Sequence, residues 1–245
     1  MVELEKESGI ARIFLNRPEK VNALDSRLLD SLAAELERLA VDQSLRIAVL
    51  AGRGKVFCAG ADVGELAALN ESIAPAFVGR VHRVCAALRA LPVPVLARLH
   101  GVVIGAGLEI AAACDLRIAA RGTRFAMPEV KLGIPSVVEA ALLPRLMGSG
   151  RAAWLVLTGE AIDAERAYEW GLVEEVTNDL DQSVGRVVQS LVAADRQALR
   201  QQKQLLQLWQ EAPLARSIDA SLARFGEAYA GGVPPALRRH TISRA

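Results

Sequence analysis

The sequence predicts an α/β core, one compact unit, followed by a helical appendage. Three observations carry this reading. Short apolar runs closed by Gly- or Pro-containing turns alternate with Leu- and Val-rich stripes at helical spacing. From Asp179 onward strand signals vanish while helical patterns continue, which places a core at residues 1–190 and a helical region at 191–245. The 245 residues, 52% hydrophobic and 23% charged, suffice to bury a sizeable core and exclude a disordered or collagen-like chain. Periodicity alone leaves open whether the strands form an ordinary sheet or a spiral of ββα turns.

The first element, Ile10 to Leu15, is a short apolar run that ends at Asn16-Arg17-Pro18 and reads as a strand entering a turn. Leu28, Leu32, Leu36 and Leu39 then share one helical face, with Asp25 or Ser26 available to cap its first N–H groups. Ile47 to Ala51 is a buried strand stopped by Gly52-Arg53-Gly54. A second helix carries Phe77, Val81, Val84 and Leu88 and stops at Leu91-Pro92-Val93-Pro94, because proline lacks the helical donor. Val95 to Leu99 is the next strand, and after His100-Gly101 a Gly-rich turn up to Gly107 feeds a helix bearing Ile110, Ala111 and Cys114. Leu116 to Ala119 is a further strand. Pro128 biases Met127 towards extended geometry, which puts Glu129 in a loop, and Val137 to Met147 has a helical pattern. In the tail Leu199, Leu205, Leu206, Leu208 and Trp209 make a broad apolar face. The sequence closes with Gly231-Gly232-Val233-Pro234-Pro235 and a basic Arg238-Arg239-His240.

Several function classes lose support from composition. Lys+Arg (29) and Asp+Glu (28) nearly cancel, so no global basic field attracts nucleic acid or an acidic membrane. Cys58, Cys85 and Cys114 form no CxxC pair and sit in apolar stretches, as reduced thiols of a cytoplasmic protein do. Met1 to Gly9 is charged rather than apolar, and no apolar run is long enough to span a bilayer, so neither export nor membrane residence is expected. His82, His100 and His240 lack ligand spacing, which argues against a zinc site and for structural roles. Gly105-Ala106-Gly107 lacks the third glycine of a dinucleotide fingerprint, Gly52-Arg53-Gly54-Lys55 lacks the Walker spacing, and no GxSxG elbow is present.

Four stretches are more specific. They are LNRPEKVNAL (Leu15 to Leu24), VLAGRGKVFCAGAD (Val49 to Asp62), HGVVIGAGLEIAAACD (His100 to Asp115) and the Pro128-Glu129 loop with its later Leu132-Gly133-Ile134-Pro135. In this order they resemble the enoyl-CoA hydratase/isomerase, or crotonase, superfamily, closely from about Ile10 to Leu172. Chemistry on a conjugated thioester puts negative charge on the thioester oxygen, and fixed N–H donors must meet it. The small residues Gly60-Ala61 and Gly105-Ala106-Gly107 let a substrate approach the backbone, and Ala106 stands at a predicted helix N-terminus whose dipole favours anions. The resemblance implies that the donors are the N–H groups of Ala61 and Ala106 and that Glu109 and Glu129 are the two family carboxylates. Glu109 would activate water and Glu129 would deliver the Cα proton.

The resemblance further implies a crotonase-like spiral of ββα turns with a C-terminal helical trimerisation region, assembled as a homotrimer or homohexamer. Its substrate would be an acyl-CoA thioester, with no separate cofactor, metal, nucleic acid or membrane. Backbone groups of Ala23, Leu24, Ala59, Gly60, Ala61 and Asp62 would hold coenzyme A. Arg17 and Lys20 are either phosphate contacts or exposed turn charges, and Lys203 is a further phosphate candidate from a neighbouring subunit. Two departures stand out. Gly64 replaces a long polar residue common two positions after the AGAD aspartate, and Ser136-Val137-Val138-Glu139-Ala140 replaces a Gly-rich stretch common in hydratases. Glu139 is therefore either a third acid in the pocket or a solvated helix residue. Hydration of a 2-enoyl-CoA is the leading expectation. The alternatives are double-bond isomerisation or another crotonase-family reaction, and a non-catalytic acyl-CoA- or RNA-binding homologue.

Overall fold

In the computed structural model, which describes residues 1–230 with Gly232, Pro234 and Leu237, β1 (Val2–Glu7) and β2 (Ile10–Leu15) form an antiparallel pair. They lead into α1 (Ser26–Ala40), β3 (Ile47–Gly52), α2 (Val63–Ala67), α3 (Ala74–Ala90), β4 (Val95–Leu99), β5 (Val102–Ile104) and α4 (Ala106–Ala113). Then follow β6 (Leu116–Ala120), β7 (Arg124–Ala126), α5 (Leu143–Met147), α6 (Ser149–Thr158), β8 (Ile162–Asp163), α7 (Ala164–Glu169) and β9 (Glu175–Thr177). The tail is α8 (Leu180–Ala193), α9 (Arg196–Glu211) and α10 (Leu214–Glu227); Arg238-Arg239-His240 lie outside the described residues. Among the described residues no helix is long and apolar enough to cross a membrane.

The choice between sheet and spiral is resolved by the order of the strands. One sheet runs β1-β2-β3-β4-β6-β9, parallel from β2 onward, and a small second sheet runs β5-β7-β8. Each turn of chain passes from the large sheet to the small one and then into a helix, as β4, β5 and α4 do. Isolated bridges between Leu24 and Ala61 and between Cys58 and Val103 extend the same winding into earlier turns. Alternate residues of β3 serve two cores. Ala48 and Leu50 join the main core, while Ile47 and Val49 pack with Leu96 and Ile118 against Leu180, Val184 and Val188 of α8.

Three local expectations are corrected. β1 carries no uniform apolar run, because it is an edge strand with Glu3 and Glu5 facing Arg53, whose guanidinium lies 3.5 Å over the Phe14 ring. Charge on an edge strand blocks further pairing, and the same charge hides the strand from a periodicity argument. Residues Val137 to Met147 do not form one helix: a 3-10 turn at Val138–Leu142 precedes α5. Pro144 fits the first turn of a new helix but not the interior of a longer one. Finally, Lys203 is not a phosphate ligand. Its Nζ is buried and donates to the Leu88 and Val93 carbonyls at 3.0 Å each and to Asp115 at 2.8 Å, fastening α9 to the α3–β4 turn.

Candidate active site

Asn22 organises the first half of the site. It is fully buried with a left-handed φ of 55°, a conformation asparagine tolerates better than most residues. Its Nδ2 lies 2.9 Å from the Arg53 and Val56 carbonyls and 3.1 Å from that of Phe57, and its Oδ1 accepts the Arg17 N–H at 2.9 Å. The Arg17–Leu24 turn is thereby pinned to the segment after β3. A short ladder follows, in which Ala59 N–H donates to Val21, Leu24 N–H to Gly60 and Asp62 N–H to Leu24. On one side of Ala61 the Asp62 N–H is used in this ladder and on the other the Gly60 N–H meets Cys58 Sγ at 3.4 Å, while the Ala61 N–H finds no acceptor among the described residues. Asp62 then caps α2 through the Gly64 and Glu65 N–H groups and pairs with Arg17 at 2.7 Å. The Arg17 guanidinium, then the Glu65 N–H, holds the Asp62 carboxyl below its usual range.

The second half presses against the first. Ile104 N–H donates to Cys58 and Gly105 N–H to Ala126, so the β5–α4 junction lies between the Cys58 and Ala126 strands. Gly60 and Gly105 both have positive φ, at 91° and 54°. A Cβ on Gly60 would come 2.9 Å from the Ile104 oxygen, and one on Gly105 would come 2.5 Å from Glu129 Oε1, so neither position admits a side chain. Helix α4 starts at Ala106, whose N–H has no intrahelical acceptor and sits at the positive end of the dipole. The expected donors, Ala61 and Ala106, therefore flank a Gly–Gly backbone contact.

Three carboxyl groups converge nearby. Glu109, in the first turn of α4, is 4% exposed. Burial, followed by the charges of Glu129 and Glu139, pushes its pKa up to about 8 against the lowering effect of the Ala140 N–H. Glu129 opens a 3-10 turn, Glu129–Leu132, rather than lying in open loop; its Oε1 covers Gly105 and its Oε2 accepts from Ser136 Oγ at 2.9 Å. Glu139 points inward, so the solvated reading is overturned. It is 7% exposed, its Oε1 lies 2.8 Å from His82 Nδ1, and its Oε2 is buried without a partner. The preceding Val138 has φ 39°, a strained value for a β-branched residue, in the stretch that replaces the family's glycines.

Ala23, Leu24, Ala59, Gly60, Ala61 and Asp62 form one continuous strip through the ladder described above. Arg17 is half-buried and donates to the Ala23 carbonyl besides pairing with Asp62, so it is not an exposed turn charge, whereas Lys20 is exposed. Sequence reasoning missed the roles of Asn22, Ser136 and His82. Asn22 had a signal, a small amide inside LNRPEKVNAL, and Ser136 had its place seven residues after Glu129. His82 had none, because its partner lies 57 residues away.

A profile described as enoyl-CoA hydratase/isomerase matches residues 5–230. The short-chain-enoyl-CoA hydratase of Clostridium acetobutylicum is 33% identical over 232 residues, covering 93% of this chain and 89% of that protein. The 1,2-epoxyphenylacetyl-CoA isomerase of Escherichia coli (strain K12) is 37% identical over 178 residues, covering 71% of this chain and 68% of that protein. The crystal structure of an enoyl-CoA hydratase from Mycobacterium smegmatis superposes with a TM-score of 0.92 at 32% identity, covering 96% of this chain and 93% of that one.

Proposed function

The chain belongs to the enoyl-CoA hydratase/isomerase family and has its crotonase fold, and from that premise we propose that it adds water to a 2-enoyl-CoA thioester. The observation that carries this is the pairing of two carboxyl groups, Glu109 and Glu129, beside the α4 N-terminus. The thioester oxygen accepts the Ala61 and Ala106 N–H groups, which stabilise the charge that develops there; loss of one such donor is worth about 2.7–4 kcal/mol. Glu109 takes a proton from water as the hydroxide adds to Cβ, and Glu129 delivers a proton to Cα. The pair ends the cycle with its charges exchanged. Coenzyme A runs along the Ala23–Leu24 and Ala59–Asp62 strip.

A second reading has one specific support. At neutral pH Glu109 is mostly protonated, and a protonated Glu109 suits an isomerase in which a single carboxylate, Glu129, removes and returns the proton. The pH profile separates the two. A hydratase using Glu109 as base gains kcat/KM as pH rises towards about 8, whereas the isomerase does not depend on that ionisation. The direct test is a panel of enoyl-CoA esters of varied length and branching, followed by loss of conjugated absorbance and by product identity. Hydroxyacyl products support hydration; positional isomers without hydroxyacyl product, or silence across the panel, sink it. The exposed Leu206, Trp209, Leu214, Ile218, Leu222 and Phe225 on α9 and α10 support assembly as a homotrimer or homohexamer, which sedimentation tests.

A further inference from the structure

Glu109 and Glu129 face different return problems after each turnover. Glu129 is half-buried, whereas Glu109 is only 4% exposed, so Glu129 exchanges its proton with water more readily than Glu109 does. Close by stands Glu139, on the 3-10 turn Val138–Leu142 that packs against α4. One oxygen of Glu139 is free and buried; the other touches His82, whose side chain is 62% exposed. The groups around Glu139 are His82 and Cys85 from α3 and Glu109 from α4, and the Cys85 thiol is held protonated by burial and by both carboxylates. No cation among these competes for the Glu139 charge except the imidazole itself.

We propose that Glu139 and His82 form the path by which Glu109 gives its proton to solvent. By way of a water between the two carboxyls the proton passes from Glu109 to Glu139, the same proton passes from Glu139 to Nδ1 of His82, and the imidazolium so formed releases a proton to water; the exposed ring regains its Nε2–H tautomer by exchange with solvent before the next transfer. One proton is moved and no heavy-atom bond changes. An imidazole suits the outer position because its two ring nitrogens let one accept a proton while the other releases one. Both residues act through Glu109, and the path rests on the reading of Glu109 as the water-activating base.

The test uses the full chain and two measurements. In weakly buffered medium at pH 7, His82→Gln should lower kcat by at least about tenfold with little change in KM, the size expected when an acid–base group is lost. Added imidazole should restore turnover in a concentration-dependent manner. Glu139→Gln should show the same loss without rescue, because the inner link is missing. A purely structural role for His82 would not respond to imidazole. Turnover of His82→Gln within twofold of the native rate, independent of buffer, overturns the path. The second measurement needs no turnover: after a pH jump, the infrared carboxyl band that Glu109→Gln removes should decay more slowly in His82→Gln and recover its rate with imidazole. An unchanged decay overturns the path as well. A native protein that hydrates no ester yet shows the slowed, rescued decay keeps the path and sinks the hydratase reading.

Discussion

Replacing Glu109 with glutamine should stabilise the protein while abolishing its chemistry, and the size of the gain follows from one titration. In the unfolded chain the carboxyl loses its proton near 4.5, whereas in the fold it holds it up to about 8. Between those values the native state binds more protons at this site than the unfolded state, so stability falls as pH rises through the window. The loss begins near pH 4.5 and is complete above about pH 8. By pH 7 it amounts to about 3 kcal/mol, taking about 1.36 kcal/mol per pKa unit. Glutamine has no proton to lose and keeps nearly the same shape. Urea unfolding at fixed protein concentration, followed by tryptophan fluorescence at pH 5, 7 and 8.5, should therefore show the two proteins close together at pH 5. The variant should lead by about 3 kcal/mol at pH 7. A gap that does not widen with pH would refute the claim that burial and neighbouring carboxylates hold the proton on Glu109.

Other outcomes follow from the same geometry. Gly105→Ala places a methyl 2.5 Å from Glu129 Oε1 in a backbone region that alanine avoids, so kcat should fall by about a hundredfold or more while circular dichroism stays native. Asn22→Ala leaves the buried Arg53, Val56 and Phe57 carbonyls without their donor, and chemical denaturation should register a loss of about 2–4 kcal/mol together with reduced affinity for CoA esters. Lys203→Met removes the donor to Leu88, Val93 and Asp115; thermal unfolding should drop by the equivalent of about 3 kcal/mol, with the KM of the folded enzyme unchanged. A raised KM would instead return Lys203 to the phosphate. Ser136→Ala frees Glu129 Oε2 and should lower kcat by about three- to tenfold with KM retained, read from steady-state kinetics.

The parts of the fold that were legible in the sequence are those where one residue interval carries the signal. Leu28, Leu32 and Leu36 on α1, and the unbroken apolar run of β3, announce themselves because burial is one-sided in the first case and complete in the second. β1 was missed because only Val2 and Leu4 alternate with its charges, too brief an apolar pattern to register, and its pairing with β2 is a tertiary fact. The spiral was likewise a matter of which strand pairs with which, and no interval records that; only the resemblance implied it. At the site, the glycines and glutamates were readable through motifs, while the direction of Glu139 was not. That direction depends on the left-handed Val138 and on His82 arriving from a helix far upstream, two conditions that local patterning does not encode.

The Gly60–Gly105 contact has a consequence for how such a protein tolerates mutation. Donors supplied by peptide groups are not written in any side chain, so among substitutions at Ala61 or Ala106 only proline, which lacks the N–H, deletes them; the others can only crowd them. Vulnerability is transferred to the two glycines and Asn22, whose shapes hold the peptide groups at their stations. The side chains of the Ser136–Ala140 stretch form no part of that backbone contact, so they can change from one descendant to another while the two peptide groups are inherited in place.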